Sequence, residues 1–168
     1  MYRKHILPLV ILFLAGCSYY SVSGSLPGHI KTAAVPLFEN ETTEPGLVED
    51  VTGAVVDAII SNGSMKVVGE FQSDAIVKGT IIEVRDEADE YSKSETAAQF
   101  RIRVFAQVSF FDRVKNRTIW EEKSIEGWAR YDSSGSSGTG ESVSREDAKK
   151  KALDMLAKEI IDKTVSGW

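Results

Sequence analysis

A single cysteine, Cys17, leaves this 168-residue chain with no disulfide to form, so the core alone must stabilise its fold. Histidine is nearly as scarce: there are two, and beyond the first 16 residues only His29 remains. Nucleophilic catalysis of the Ser-His-Asp or Cys-His kind therefore has almost no material, and a zinc site, which draws on several Cys or His ligands, has one. The glycines at 135, 138 and 140 are neither set in a P-loop pattern nor followed by Lys-Ser or Lys-Thr, which excludes a phosphate-cradling loop. With 20 basic against 25 acidic residues the formal charge is −5, and a negative surface argues against nucleic acid and against a broad dock on anionic lipid. Carboxylate pairs are plentiful (Glu83/Asp86, Glu121/Glu122, Asp89/Glu90), but they fall in segments read as exposed loops and turns, where a raised pKa is not expected. The expectation is a chain that is not an enzyme and uses neither metal nor cofactor.

No apolar run reaches the roughly 20 residues that a membrane-spanning helix needs. The longest, Ile6 to Leu14, is short, contains Pro8 and follows the basic pair Arg3 and Lys4, in the manner of a secretory leader. It ends in Leu14-Ala15-Gly16-Cys17, which resembles the bacterial lipobox, whose cysteine becomes the acylated first residue of the mature chain. That resemblance implies a leader over residues 1–16 and a three-chain lipid anchor on Cys17. One acyl chain binds a membrane marginally and two hold it stably, so three would make attachment permanent. Residue 18 is Ser rather than Asp, which implies the inner leaflet of a Gram-negative outer membrane. Removing the leader leaves 152 residues and a formal charge of −7, enough for one domain with a proper core. Residues 17–29, rich in Ser and Gly, read as a flexible tether that keeps the body within roughly 20 Å of the bilayer, and residues 30–168 as a single domain.

Within that domain, Ile30 to Phe38 reads as a strand buried on both faces. Leu47, Val51, Val55, Ala58 and Ile59 recur at three- and four-residue steps and predict a helix that opens at Pro45 and stops at Asn62-Gly63. Met65 to Val68 is a second strand, parallel to the first. Ala75 to Arg85 suits a central strand. Gln99 to Phe111 is the clearest: Phe100, Ile102, Val104, Ala106, Val108 and Phe110 face one side, and Gln99, Arg101, Arg103, Gln107 and Ser109 the other. A turn at Lys115-Asn116 leads to a returning strand, Thr118 to Tyr131, whose apolar residues change parity between Trp120 and Ile125, the mark of a bulge or an edge.

Two stretches read as long loops: acidic Asp86 to Ala98, with Lys93 its lone base, and Ser/Gly-rich Asp132 to Glu141. From Ser144 the chain is helical, with Ser144 and Asp147 spaced as a capping box and Leu153, Leu156, Ala157, Ile160, Ile161 and Thr164 as its apolar stripe; Lys149, Lys150, Asp154 and Lys158 solvate the rest. The order β-α-β-β-β-β-α gives an α+β two-layer sandwich: a mixed sheet of four to five strands, two helices on one face, the other face open.

The segment from Tyr20 to Leu47, and above all the block Ile-Lys-Thr-Ala-Ala-Val-Pro-Leu-Phe-Glu-Asn from Ile30, resembles the LPS-assembly lipoprotein family, LptE. The resemblance implies an outer-membrane lipoprotein of lipopolysaccharide transport, plugging the lumen of a large LptD-type β-barrel and binding lipopolysaccharide. It places lipid-contacting bases in the mid-chain hairpin loop and before the last helix, here Lys93 and Arg145; Arg101 and Arg103, on the open strand face, are alternatives. The same block also resembles the strand-helix start of periplasmic lipoproteins of the CsgG and LpoB type, which form secretion channels or activate peptidoglycan synthases.

Overall fold

In a computed structural model the described residues are 26–91, 97–132 and 143–166. They form a six-stranded mixed sheet and two long helices. The elements in chain order are β1 (Thr32–Ala34), β2 (Glu39–Asn40), α1 (Leu47–Asn62), β3 (Lys66–Val67), β4 (Ala75–Tyr91), β5 (Ala97–Asp112), β6 (Arg117–Asp132) and α2 (Arg145–Ser166). The sheet order is β3-β1-β4-β5-β6, with β2 also lying along β4. β1 runs parallel to β3 and β4, and β4, β5 and β6 form an antiparallel meander. This is the expected α+β sandwich, with one more strand: the anticipated Ile30 to Phe38 strand shortens to Thr32–Ala34, and a second short strand forms just beyond it at Glu39–Asn40. Pro36, which has no N–H to give a ladder, stands at the break, and the chain resumes pairing one bulge later with Glu39 opposite Thr80.

The acidic stretch read as a long loop is mostly strand. β4 continues to Tyr91 and β5 begins at Ala97, so Asp86 and Glu87 stand in register with Ile102 and Arg101. The carboxylate pairs accordingly lie on β4 and β6, not in loops. The parity change in β6 is a bulge: Ala106 faces Ile125, yet Val108 faces Glu122, so β6 carries an extra residue around Lys123 and Ser124. β6 is also the edge of the sheet.

The two helices cover one face. α1 starts at Leu47, two residues after the expected Pro45, with Gly46 at its N-cap, and buries Leu47, Val51, Val55 and Ile59. Gly63, at φ 71°, closes it by donating its N–H to Ile59 O at 3.1 Å. Ser144 caps α2 as expected: its hydroxyl accepts the Asp147 N–H at 3.1 Å and donates to Asp147 Oδ2 at 2.6 Å. The stripe from Leu153 to Thr164 is buried, and so is Lys149, whose ammonium turns back to Glu146 at 3.0 Å instead of to water.

Two glycines set how closely the layers approach. A Cβ on Gly127 would lie 2.0 Å from the Ala152 carbonyl oxygen, so the backbone of α2 rests directly on β6. A Cβ on Gly79 would lie inside the ring of Phe38. The body begins before residue 30: Leu26 packs against the core, and His29 Nε2 is 2.8 Å from Oδ2 of the buried Asp112.

Candidate interaction surface

The open face of the sheet is built by strand alternation. Because Ile102, Val104, Ala106, Val108 and Phe110 turn to the helices, their neighbours Arg101, Arg103, Phe105, Gln107 and Ser109 must turn the other way. The registers then set Arg85 and Glu87 of β4, and Glu126, Trp128 and Arg130 of β6, beside them. The result is a lattice of guanidinium groups, carboxylates and rings.

Arg103 is its centre. It holds Glu126 by two hydrogen bonds, at 2.5 and 2.8 Å, reaches Glu87 at 3.3 Å, and lies 5.1 Å from the Phe105 ring centroid. Arg85 pairs with Glu83 at 2.5 Å and Glu87 at 3.2 Å. Glu126 is held below the usual carboxylate range, chiefly by its hydrogen bonds from Arg103, and Glu87 likewise, first by Arg85 and then by Arg103. Arg101 takes another position: its guanidinium lies 4.5 Å from the Trp128 ring centroid, with Arg130 at 5.8 Å. Farther along the same face Leu37, Glu39, Lys78, Thr80 and Gln107 border a cavity of about 370 Å³.

Arg145 lies elsewhere, at the start of α2. Its guanidinium bridges Glu44, at 2.7 Å, and Asp86, at 2.9 Å, and so joins the turn before α1 to β4. The hydrogen bond from Arg145 draws the Glu44 pKa down. Asp86 also accepts the Tyr131 hydroxyl at 2.9 Å, and Tyr131 stacks on Phe100 with centroids 5.5 Å apart.

Of the four bases singled out from sequence, the structure brings Arg101 and Arg103 together on the open face and sets Arg145 apart on the helix side. Lys93 and Cys17 lie outside the described residues. Arg85, Phe105, Trp128 and Arg130 were not anticipated as part of this surface. Glu126, Trp128 and Arg130 do share one parity of β6, which is the signal that marks them. Among the described residues no group of acids, histidines or cysteines is arranged to hold a metal ion, and no helix is long and apolar enough to cross a membrane.

Comparison with known proteins starts from the family model LptE, lipopolysaccharide-assembly, which matches residues 30–164. The chain belongs to the LptE family. The match takes in every element from β1 to all but the last residues of α2. No curated protein matches. Among solved structures, the PelC dodecamer from Paraburkholderia phytofirmans is similar at TM-score 0.53 and 15% identity, over 86% of this chain and 96% of that one. The hypothetical protein CT253 from Chlamydia trachomatis is similar at TM-score 0.56 and 12% identity, over 80% and 95%. At such identities the likeness is one of fold.

Proposed function

We propose that this LptE-family chain is a lipid-anchored, non-enzymatic component of lipopolysaccharide transport at the outer membrane, held on the periplasmic face through Cys17. There it acts as plug and assembly partner of an LptD-type β-barrel. The observation that carries this reading is the family match over nearly the whole folded body, from residue 30 to residue 164. The open sheet face supports it physically, since a plug in a polar lumen presents charged and hydrogen-bonding groups and not an apolar surface.

Lipopolysaccharide contact is assigned to Arg101, on its stacking geometry, and to Lys93, on the family resemblance. Arg101 offers a cation stacked on an indole, a suitable partner for a phosphorylated, partly apolar lipid. Arg103 holds Glu126 and Glu87, and Arg145 holds Glu44 and Asp86, so a lipid phosphate at either would share or displace those carboxylates.

Purification of the intact chain from Gram-negative membranes under mild detergent tests the reading. A stoichiometric outer-membrane barrel is the expected companion, and mass spectrometry is expected to find an acylated Cys17 at the N-terminus. A ring of identical subunits would instead support a CsgG-type channel, and a penicillin-binding protein an LpoB-type activator.

A further inference from the structure

Phe71 stands almost wholly in solvent, 96% exposed, and Val114 is 61% exposed. Phe71 belongs to the short 3-10 turn Glu70–Gln72, between β3 and β4, and Val114 to the turn that joins β5 to β6. Arg113 staples the two turns together: its N–H donates to Asp74 O at 2.8 Å, and its guanidinium donates to Ser73 O at 2.9 Å and to Glu70 O. The Ser73 hydroxyl, donating to Glu70 O at 2.9 Å, tightens the first turn further. Two apolar side chains are thus held out into water on adjoining turns at one end of the sheet. Exposed apolar groups with a polar rim mark a contact with a protein or a membrane.

Charge separates the two. The chain as a whole has 20 bases against 25 acids, so a dock on anionic lipid needs a local reversal. This end supplies it. Segments 29–31, 64–66, 69–74 and 112–117 hold five bases (Lys31, Lys66, Arg113, Lys115 and Arg117) against three acids (Glu70, Asp74 and Asp112). Asp112 is buried beside His29, and Asp74 accepts the Lys31 and Thr32 N–H groups at 2.9 Å, which leaves Glu70 as the one exposed acid of the set. Lys31, Lys66, Lys115 and Arg117 are all exposed, and an anionic bilayer attracts such a cluster.

The chain also enters the body at this end. Leu26 packs against the core, and His29 meets Asp112 at the close of β5. The nine residue steps from Cys17 to Leu26 span at most about 30 Å. The fifteen steps of β5 from Ala97 to Asp112 rise about 50 Å, so the opposite end of the sheet lies well beyond that tether. An anchor on Cys17 keeps the Phe71 end within reach of the leaflet, whereas the far end meets it only if the whole body lies down.

We propose that this end docks on the anionic leaflet beside the anchor, with Phe71 and Val114 entering the headgroup region and Lys31, Lys66, Lys115 and Arg117 meeting lipid phosphates. The proposal rests on the Cys17 anchor of the reading above. It uses the end of the sheet and not its open face, so it is compatible with a body seated in a barrel, whose rim borders the same leaflet.

The acylated full chain in vesicles of phosphatidylethanolamine and phosphatidylglycerol tests the dock, with nitroxide labels on Phe71→Cys, Val114→Cys and, as a control on α2, Met155→Cys, a partly exposed site. Acylation leaves Cys17 no thiol to label. Access of oxygen, which partitions into lipid, relative to a water-soluble nickel complex is expected to be several-fold higher at 71 and 114 than at 155. Combining Lys115→Glu with Arg117→Glu is expected to move both labels toward the control value while the chain stays on the vesicles. A chain that does not float with the vesicles overturns the anchor and this proposal together. A chain that floats with its labels at 71 and 114 as open to the nickel complex as the one at 155 overturns the dock alone. Labels shielded from both probes would show a second copy covering this end, which also overturns it.

Discussion

Arg145, the first residue of α2, reaches back to Glu44, just ahead of α1, and holds it at 2.7 Å while its other nitrogen holds Asp86 of β4 at 2.9 Å. One guanidinium thereby ties both helices to the middle of the sheet. Because Arg145 is about a third exposed, solvent reduces what the bridge contributes. Arg145→Ala is expected to cost about 1 kcal/mol, seen as a fall in Tm of about 2 to 4 °C. Arg145→Lys should recover little, since one ammonium cannot hold both carboxylates in a fork. A lysine variant as stable as the parent would contradict this geometry.

The seat of α2 on β6 leaves no room at Gly127. Gly127→Val, which thrusts a branched side chain at the Ala152 carbonyl, is expected to cost at least about 1 to 3 kcal/mol in urea unfolding. Leu156→Asp, which buries an unpaired charge in the same seat, should abolish the cooperative transition. Gly53→Val, where a Cβ meets nothing, is the control and should change stability far less.

Stability should fall in acid, and the sign follows from the carboxylates. Burial pushes Asp112 up, but the Lys115 N–H and His29 outweigh it and hold the group low. Asp74 is held low by the Lys31 N–H and the Thr32 hydroxyl, and Glu44 and Glu126 by their arginines. Groups depressed in the folded state stabilise it above their unfolded pKa, near about 4, and lose that contribution as pH falls through the folded values. The urea midpoint should therefore hold steady from about pH 7 to pH 5 and drop below about pH 4. A midpoint unchanged down to about pH 3 would exclude these contacts as contributors.

Arg101 on the open face and Arg145 on the helix side should separate by role. Arg101→Ala is expected to lower lipopolysaccharide retention by about tenfold or less, the loss of one cation stacked on Trp128. Arg145→Ala should leave retention nearly unchanged while lowering Tm. Pull-down with immobilised lipopolysaccharide, with circular dichroism to confirm folding, distinguishes the two; equal losses would remove Arg101 from its assigned position.

Much of this architecture is legible in the residues themselves. The strict alternation of β5, the apolar stripes of both helices, the Gly63 stop, the Ser144 cap and the β6 bulge all come from local pattern, and local pattern survives folding. What misleads is charge whose partner is remote. Asp86 and Glu87 read as loop because they open an acidic run; Asp86 is held by Arg145, 59 residues away, and Glu87 by Arg103, 16 residues away, as well as by its neighbour Arg85. The same remoteness hides the bridge from Arg145 to Glu44, 101 residues away. The parity change at the β6 bulge obscures in sequence the face that Trp128 and Arg130 present.

The central claim, that this chain works by fitting its open sheet face into a barrel, is met most directly by photo-crosslinking in cells from single positions along β5. A crosslinker at Arg101, Gln107 or Ser109 is expected to capture an outer-membrane β-barrel, whereas one at Ile102 or Val104, turned into the core, captures none. If no position between 99 and 110 yields a barrel adduct, the claim is contradicted.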